Sequence, residues 1–167
     1  MIVALPTMSI RGVNVWQEWL SREKQIKILD DIRTVVAKAP FFVPITPSGK
    51  KMSVRMTSAG RMGWVTDSSG YRYEPKHPFG VPWPEIPRSV LKVWESLSGS
   101  SRIPDCCLVN FYQTDARMGL HQDSDEADFS HPVLSISLGD EALFRIGNLE
   151  KRGATKSVWL RSGDVIR

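Results

Sequence analysis

Four short runs of β-type residues follow one another between residue 104 and residue 167. Gly, Asp and Asn turns separate these runs, which are rich in β-branched and aromatic residues. In the second run small serines alternate with Leu and Ile, the period-two pattern of a strand with two unlike faces. Several short strands with turns between them favour a sandwich or jelly roll over a βαβ fold. The runs are CCLVNFYQ (106–113), VLSISL (133–138), ALFRIG (142–147) and KSVWLR (156–161).

Two helices are predicted ahead of these strands. The first follows Ser21, an acceptable N-cap, and carries Ile and Val at helical spacing until Pro40, so it should cover one face of a sheet. The second begins at Pro87 and ends at Gly99. Between them, residues 41–83 alternate short β-like runs with turn signals and predict hairpins. The fold class is therefore α+β and mainly β.

Composition narrows the class of protein further. The 167 residues suit a single domain with its own core, and 41% apolar and 24% charged residues are ordinary for a globular protein. No apolar run approaches the ~20 residues of a membrane span, and the first residues do not resemble a secretory signal. Cys106 and Cys107 are adjacent, where an ordinary disulfide is sterically poor. We therefore expect a reduced, cytoplasmic protein that acts as a monomer, with no membrane partner.

The net charge of +4 conceals an uneven distribution along the chain. Residues 1–103 hold 15 Lys and Arg against 8 Asp and Glu, a net +7, whereas residues 104–167 hold 7 against 10, a net −3. The first part suits a polyanion and the second a cation. The alternative is that both imbalances are solvated surface charge.

The stretch GLHQDSDEAD (119–128) carries the clearest chemical signal. On an extended chain His121 and Asp123 point the same way, so an imidazole and a carboxylate can bind one cation. They would supply two of the three ligands in the two-histidine, one-carboxylate arrangement that holds non-haem Fe(II). An EF-hand is excluded, because counting from Asp123 its sixth and twelfth positions hold Asp128 and Leu134 instead of Gly and Glu. A solvated acidic turn stays open, although it gives no reason for the histidine.

An ordered series of motifs resembles the AlkB family of Fe(II)/2-oxoglutarate-dependent nucleic-acid dealkylases. The resemblance extends from about residue 40 to the end, and an ordered series is far more specific than the His-x-Asp pair alone. Its motifs are ITP (45–47), MSV (52–54), GW (63–64), GYRY (70–73), PWP (82–84), LVNFY (108–112), MGLHQDSDE (118–126), PVLSISLG (132–139) and SGDV (162–165).

The resemblance implies a fold, cofactors and site residues. The fold would be a double-stranded β-helix, or jelly roll, with flanking helices. Residues 1–103 would supply the helices and a nucleotide-recognition lid, and residues 104–167 the first part of the catalytic core. His121 and Asp123 would be catalytic iron ligands. Asn110 and Tyr112 would hydrogen-bond the cosubstrate 2-oxoglutarate, with Met118 packing nearby.

The resemblance also implies a substrate site. Trp64 would stack on the damaged base, Asp125 would face its exocyclic nitrogen, and Lys151 would approach the substrate. A residue of the lid and three residues of the GYRY motif would complete the contacts to the nucleic acid. These four are Thr46, Tyr71, Arg72 and Tyr73.

The expected reaction is oxidative demethylation of bases such as 1-methyladenine and 3-methylcytosine in single- or double-stranded DNA, a direct-reversal repair. It uses Fe(II), 2-oxoglutarate and O2 and releases formaldehyde, succinate and CO2. The alternatives are a noncatalytic nucleic-acid-binding or interaction module on the same fold, and a related oxygenase that acts on RNA or protein. Trp64, Tyr71 and Asp125 together favour a methylated base, but they do not choose DNA over RNA.

The other histidines and the end of the sequence complete the expectations. His131 should cap or end a strand before Pro132, and His77 should lie in an exposed loop. The family's second iron histidine and its cosubstrate arginine follow the Gly-Asp-Val turn, whereas these residues stop at Arg167. We therefore expect an incomplete record, or else a degenerate member, and little or no turnover from a polypeptide of these 167 residues.

Overall fold

A computed structural model of the chain describes residues 3–124, 126–150 and 153–167, and it is mixed α/β with mostly strands, as predicted. Its elements in chain order are β1 (Met8–Ile10), β2 (Val13–Trp16), α1 (Arg22–Lys38), β3 (Arg55–Gly60), β4 (Gly63–Asp67), β5 (Gly70–Glu74), α2 (Arg88–Leu97), β6 (Cys106–Phe111), β7 (Ser135–Ile136), β8 (Ala142–Ile146), β9 (Lys156–Leu160) and β10 (Val165–Ile166).

Both predicted helices are present, with bounds close to those expected. Ser21 is the N-cap of α1, and its hydroxyl accepts the backbone N–H of Lys24. The helix ends at Lys38, just ahead of Pro40, which cannot extend it. In α2, Pro87 is the N-cap and the helix stops before Gly99, whose φ of +71° no helix interior accommodates.

The largest sheet has the strand order β1-β2-β10-β7 and is antiparallel throughout. Adjacent residues of β2 face opposite sides of it. Trp16 packs with Ile28 of α1 and Leu97 of α2. Val15 instead packs with Val158 and Leu160 of β9. The prediction that the first helix covers one face of a sheet is therefore confirmed, and the opposite face is covered by β9.

The other strands form three antiparallel pairs, β3 with β6, β4 with β5, and β8 with β9. The β4–β5 hairpin turns at Ser68 and Ser69, as its turn signal predicted, and the Ser69 N–H donates to the Asp67 carboxylate at 2.7 Å. Because β3 pairs with β6 and β2 with β10, backbone ladders join the first 103 residues to the rest. The run at 133–138 forms a strand only at Ser135–Ile136.

The Ser162-Gly163-Asp164 turn locks the end of the main sheet against α1. The Asp164 carboxylate, 1% exposed, accepts the backbone N–H groups of Glu18 and Arg161, both at 2.8 Å. Gly163 has φ +96°, and a Cβ there would lie 2.5 Å from the Gln25 side-chain nitrogen. Only glycine fits this turn, so the motif has a structural role in addition to any place in the site.

The expectation for His77 was wrong. Its side chain is 2% exposed, and its ring packs edge-on against Phe42, Phe79 and Trp83. Nε2 lies 2.8 Å from the Pro40 carbonyl, and Nδ1 accepts the Phe79 N–H at 3.0 Å. The flanking Lys76 and Pro78 are exposed and suggest solvent, whereas Phe42 and the Pro40 carbonyl come from a distant segment that a local pattern cannot show.

The two cysteines are free thiols on β6. Burial raises the pKa of Cys106 to about 11 and that of Cys107 to about 12. Both side chains are therefore protonated and unreactive at neutral pH. In the described segments, no helix is long and apolar enough to cross a membrane.

Candidate active site

The two candidate metal ligands lie together, as the His-x-Asp spacing predicted. His121 Nε2 is 3.4 Å from Asp123 Oδ1, and both side chains are about half exposed. On the other side of the ring, His121 Nδ1 is 2.8 Å from the Gly119 carbonyl, so Nδ1 carries a proton and donates it. Hydrogen bonding to His121 lowers the pKa of Asp123, although partial burial opposes the shift.

This geometry suits a positive charge between the two side chains. With Nδ1 protonated, a neutral His121 turns a lone pair at Nε2 towards a carboxylate oxygen, and two acceptors 3.4 Å apart repel unless a proton or metal ion bridges them. Metal–ligand bonds of about 2.1 Å at right angles separate two ligand atoms by about 3 Å. The donor set and its spacing therefore fit a metal. The Gly119 carbonyl fixes the ring as an outer-shell partner does in metal sites.

Among the residues described, no third metal-ligating side chain joins His121 and Asp123. Within 3–124, 126–150 and 153–167, no group of three or more His, Cys, Asp and Glu side chains is arranged to hold a metal ion. His131 lies elsewhere: its Nδ1 is 3.2 Å from the Ser100 hydroxyl and its Nε2 is 3.5 Å from Asp128. It thus ties the loop before Pro132 to the α2–β6 connection, which agrees with a structural role for this histidine.

The β4–β5 hairpin presents an aromatic platform. Trp64 and Tyr71 stack, with ring centroids 5.7 Å apart and planes 25° from parallel. Tyr73 is directly opposite Trp64 in the ladder, so the strand pleat places all three rings on one face. Because Tyr71 is 51% exposed, this face is open to a flat ligand.

Arg72 lies on the other face of the hairpin, and its predicted contact with the nucleic acid stays a prediction. The alternation of the strand turns its guanidinium to the other side, where it donates to Asp67 at 2.8 Å and to Glu74 at 2.6 Å. These bonds raise the pKa of Arg72 and lower that of Asp67 to about 2. Arg72 thus stabilises the hairpin on the face opposite the aromatic platform, and the carboxylates of Asp67 and Glu74 balance its charge.

Thr46 begins a turn at residues 46–50, in which its N–H donates to the Lys50 carbonyl at 2.9 Å. Its hydroxyl accepts the Lys50 N–H at 3.1 Å and is 2.9 Å from the Ser48 hydroxyl. The turn is joined to the hairpin by Thr66, whose hydroxyl donates to the Ile45 carbonyl at 3.3 Å. The structure therefore places Thr46 on a segment attached to the aromatic platform.

The predicted cosubstrate residues follow one another along one part of the chain. Asn110 is exposed near the end of β6, opposite Met56 in the ladder. Tyr112 comes just after the strand, and burial raises its pKa. Met118 is half-buried and immediately precedes Gly119, whose carbonyl holds His121. Their roles towards 2-oxoglutarate stay predictions.

Side-chain bonds from three directions hold the loop that carries the metal pair. Ser53 donates to the Arg117 carbonyl at 3.0 Å and accepts the Arg117 N–H at 3.1 Å. Gln122 donates to the Leu149 carbonyl at 3.1 Å, in the β8–β9 connection. These partners are 64 and 27 residues apart in sequence, so the motifs did not indicate the contacts.

The third bond joins the loop to the aromatic hairpin. The Tyr73 hydroxyl donates to Glu126 Oε1 at 2.5 Å, across 53 residues of sequence. Glu126 stands in the MGLHQDSDE motif without an assigned role, and its position there was the only signal that could have found it. Asp125 and Lys151, two of the predicted substrate contacts, lie outside the described residues.

Comparisons with known proteins bear on this arrangement. A family model described as the 2OG-Fe(II) oxygenase superfamily matches residues 12–167. The alpha-ketoglutarate-dependent dioxygenase AlkB homolog of Caulobacter vibrioides (strain NA1000 / CB15N) is 46% identical over 167 residues, which cover 99% of this chain and 76% of the relative. The DNA N(6)-methyladenine demethylase ALKBH1C of Arabidopsis thaliana is 31% identical over 93% of this chain and 39% of the relative. The solved structure of OsALKBH1 superposes with a TM-score of 0.72 at 27% identity, covering 96% of this chain and 80% of that one.

Proposed function

Because the chain belongs to the 2OG-Fe(II) oxygenase superfamily, and within it to the AlkB family of Fe(II)/2-oxoglutarate-dependent dioxygenases, we propose that it removes N-linked methyl groups from nucleic-acid bases by oxidation. The observation that carries the proposal is the bond between Tyr73 and Glu126. It attaches an exposed aromatic platform to the loop that holds the His121–Asp123 pair. A relative named as a DNA N(6)-methyladenine demethylase supports nucleic acid as the substrate class.

The chemistry of methylated bases fits this platform. Methylation at N1 of adenine or N3 of cytosine leaves a cationic base that pairs poorly and is extruded from the stack at low cost. The Trp64 and Tyr71 rings offer such a base stacking and a cation–π contribution of about 1–2 kcal/mol. The acidic balance of residues 104–167 favours the same positive charge. We therefore infer that 1-methyladenine and 3-methylcytosine are substrates.

The predicted site residues would have different roles in the reaction. His121 and Asp123 would hold the iron, and Asn110 and Tyr112 would orient 2-oxoglutarate beside Met118. Bound Fe(II), with 2-oxoglutarate and O2, supplies the oxidation of the N-methyl carbon, and formaldehyde, succinate, CO2 and the unmodified base are the products. The protein's own part is to hold the His121 ring, through the Gly119 carbonyl, with Nε2 turned towards Asp123, and to place the methyl carbon.

The remaining predicted contacts complete the substrate site. Asp125 would face the exocyclic nitrogen and Lys151 would approach the strand. Thr46, Tyr71, Arg72 and Tyr73 would contact the nucleic acid from the lid. We infer that residues 41–83 form this lid, and that the strands after residue 104 belong to a jelly-roll core. Single- and double-stranded DNA are both compatible with such a site, and RNA is the alternative.

Phosphate contacts are assigned to the turn at residues 46–51. Arg61 is bound to Asp105 and Arg72 to two carboxylates. Lys50 and Lys51 are exposed, and in the part of the chain that the structure describes neither forms an ion pair. Replacing both with Gln should lower the salt slope of single-strand binding by up to about 1.4, since each phosphate contact contributes about 0.7. An unchanged slope would remove this turn from the interface.

Binding to matched oligonucleotides tests the proposed substrate. Fluorescence anisotropy would compare single strands with one 1-methyladenine or one adenine at the same position. We expect tighter binding of the methylated strand, and a loss of about 5- to 150-fold in Trp64→Ala, since a stacked base contributes about 1–3 kcal/mol. Trp159→Ala is the matched control, because Trp159 is 53% exposed on β9. Equal affinity of wild type for the two strands would contradict the proposal.

A further inference from the structure

The hydrogen bond between Tyr73 and Glu126 is placed to do more than join two segments. At 2.5 Å it is a short, charge-assisted bond from a hydroxyl to a carboxylate, and it is partly buried. Tyr73 lies directly opposite Trp64 in the β4–β5 ladder. Glu126 follows Asp123 by three residues. The bond therefore joins Tyr73, the ladder partner of Trp64, to the loop that carries His121 and Asp123.

The Glu126 carboxylate also lies near the first residue of β6. Its negative charge is among the causes that raise the pKa of the buried Cys106 thiol. Cys106 is opposite Gly60 at the end of β3, close to the start of the hairpin. The carboxylate is half-buried, and such a group costs free energy unless it is hydrogen-bonded. Tyr73 supplies that bond.

The metal loop has no regular secondary structure to fix its shape. Residues 119–124 and 126–130 contain neither helix nor strand, so side-chain bonds set the position of His121 and Asp123 relative to the hairpin. Ser53 and Gln122 attach the loop to other segments. The bond from Tyr73 attaches it to the surface on which the base would stack.

We infer that Glu126 is a positioning residue, whose bond to Tyr73 sets the distance between the aromatic platform and the His121–Asp123 pair. This inference rests on the proposed function. Without the bond the platform still stacks a base, but the methyl group no longer has one fixed place beside the metal pair. Misplacement by about 1 Å is enough to reduce the rate of a reaction about 100-fold.

Hydrogen exchange of the hairpin amides, residues 63–74, tests the bond without relying on turnover. A double-mutant cycle would use Tyr73→Phe, Glu126→Ala and both together, in the full chain. Each single variant should raise the exchange rates about tenfold, a factor equivalent to about 1.4 kcal/mol, and the double variant should add little. Glu126→Gln keeps a neutral acceptor and should lie between wild type and Glu126→Ala.

Glu85→Ala is the matched control, because Glu85 is exposed on the segment ahead of α2 and loses the same charge. If Glu126→Ala exchanges like this control, or if the effects of the two single variants simply multiply, Glu126 does not position the hairpin. The proposed function is judged separately. A wild type that binds methylated and unmethylated strands equally overturns the function whatever the exchange rates show, and one that discriminates while the cycle is additive overturns only the positioning role.

Discussion

Adding one methyl group at Gly63 should displace the aromatic hairpin without touching the metal pair. Gly63 opens β4, and a Cβ there would lie 2.2 Å from Cε2 and 2.6 Å from Nε1 of Trp83. The indole is 7% exposed, and its N–H donates to the Glu74 carbonyl on β5 at 2.9 Å. The ring therefore cannot move away without losing that bond and its packing.

The cost of Gly63→Ala follows from these contacts. Overpacking a core typically costs about 1–3 kcal/mol, and a lost neutral hydrogen bond about 0.5–1.5 kcal/mol. We expect a decrease of about 2–4 kcal/mol in the free energy of unfolding, which lowers Tm by about 5–15 °C in a chain of this size. Affinity for a methylated strand should also fall, because Trp64 is the next residue.

Urea and thermal unfolding, each followed by circular dichroism, would measure the stability change. Gly147→Ala is the matched control, since no atom lies within 4 Å of a Cβ at Gly147 and its φ is not positive. If Gly63→Ala unfolds at the same urea concentration as Gly147→Ala, the packing of Trp83 against the hairpin is not as described.

Three further outcomes are expected. Asp123→Ala should weaken Mn²⁺ binding measured by calorimetry at least tenfold, whereas Asp140→Ala, at an exposed turn before β8, should not; equal affinities would remove Asp123 from the site. Native Cys106 should react with iodoacetamide at pH 8 about 100-fold more slowly than an ordinary thiol, because a rise in its pKa from 9.0 to about 11 reduces the thiolate population by that factor. Rapid labelling of the native protein would contradict the burial of Cys106. Because the pKa of Asp67 is lowered from 3.8 to about 2, its ion pair stabilises the fold above pH 4 and is lost as the pH falls towards 2. Asp67→Asn should therefore flatten the dependence of the unfolding free energy on pH between pH 4 and pH 2. An unchanged dependence would contradict the pairing with Arg72.

Local sequence signals predicted the elements that depend on neighbouring residues. Ser21 and Pro40 delimit the first helix because capping and proline effects act within a turn. The two-residue spacing of His121 and Asp123 was enough to predict their proximity, since both side chains leave one short segment. The strands β1 and β2 were missed, although Arg11 and Gly12 between them both have positive φ and mark a tight turn.

Contacts between distant segments could not be predicted in the same way. The burial of His77 depends partly on Phe42, which packs against its ring from a distant segment, and its exposed neighbours gave the opposite indication. The pairing of Tyr73 with Glu126 depends on how the hairpin and the metal loop pack, which no periodicity encodes. The alternation of side chains along a strand places Arg72 on the other face from Tyr71 and Tyr73, but this rule could be applied only once β5 was known to be a strand.

The central claim is that the platform presents an N-methyl group to a metal held by His121 and Asp123. Paramagnetic relaxation by Mn²⁺ measures this directly, in a single-stranded oligonucleotide whose 1-methyladenine carries a ¹³C-labelled methyl group. We expect the bound metal to relax the N1-methyl carbon much more strongly than C8 on the far side of the base, and Asp123→Ala to abolish the difference while Asp140→Ala keeps it. Equal relaxation of the two carbons, or a difference that survives in Asp123→Ala, would contradict the account.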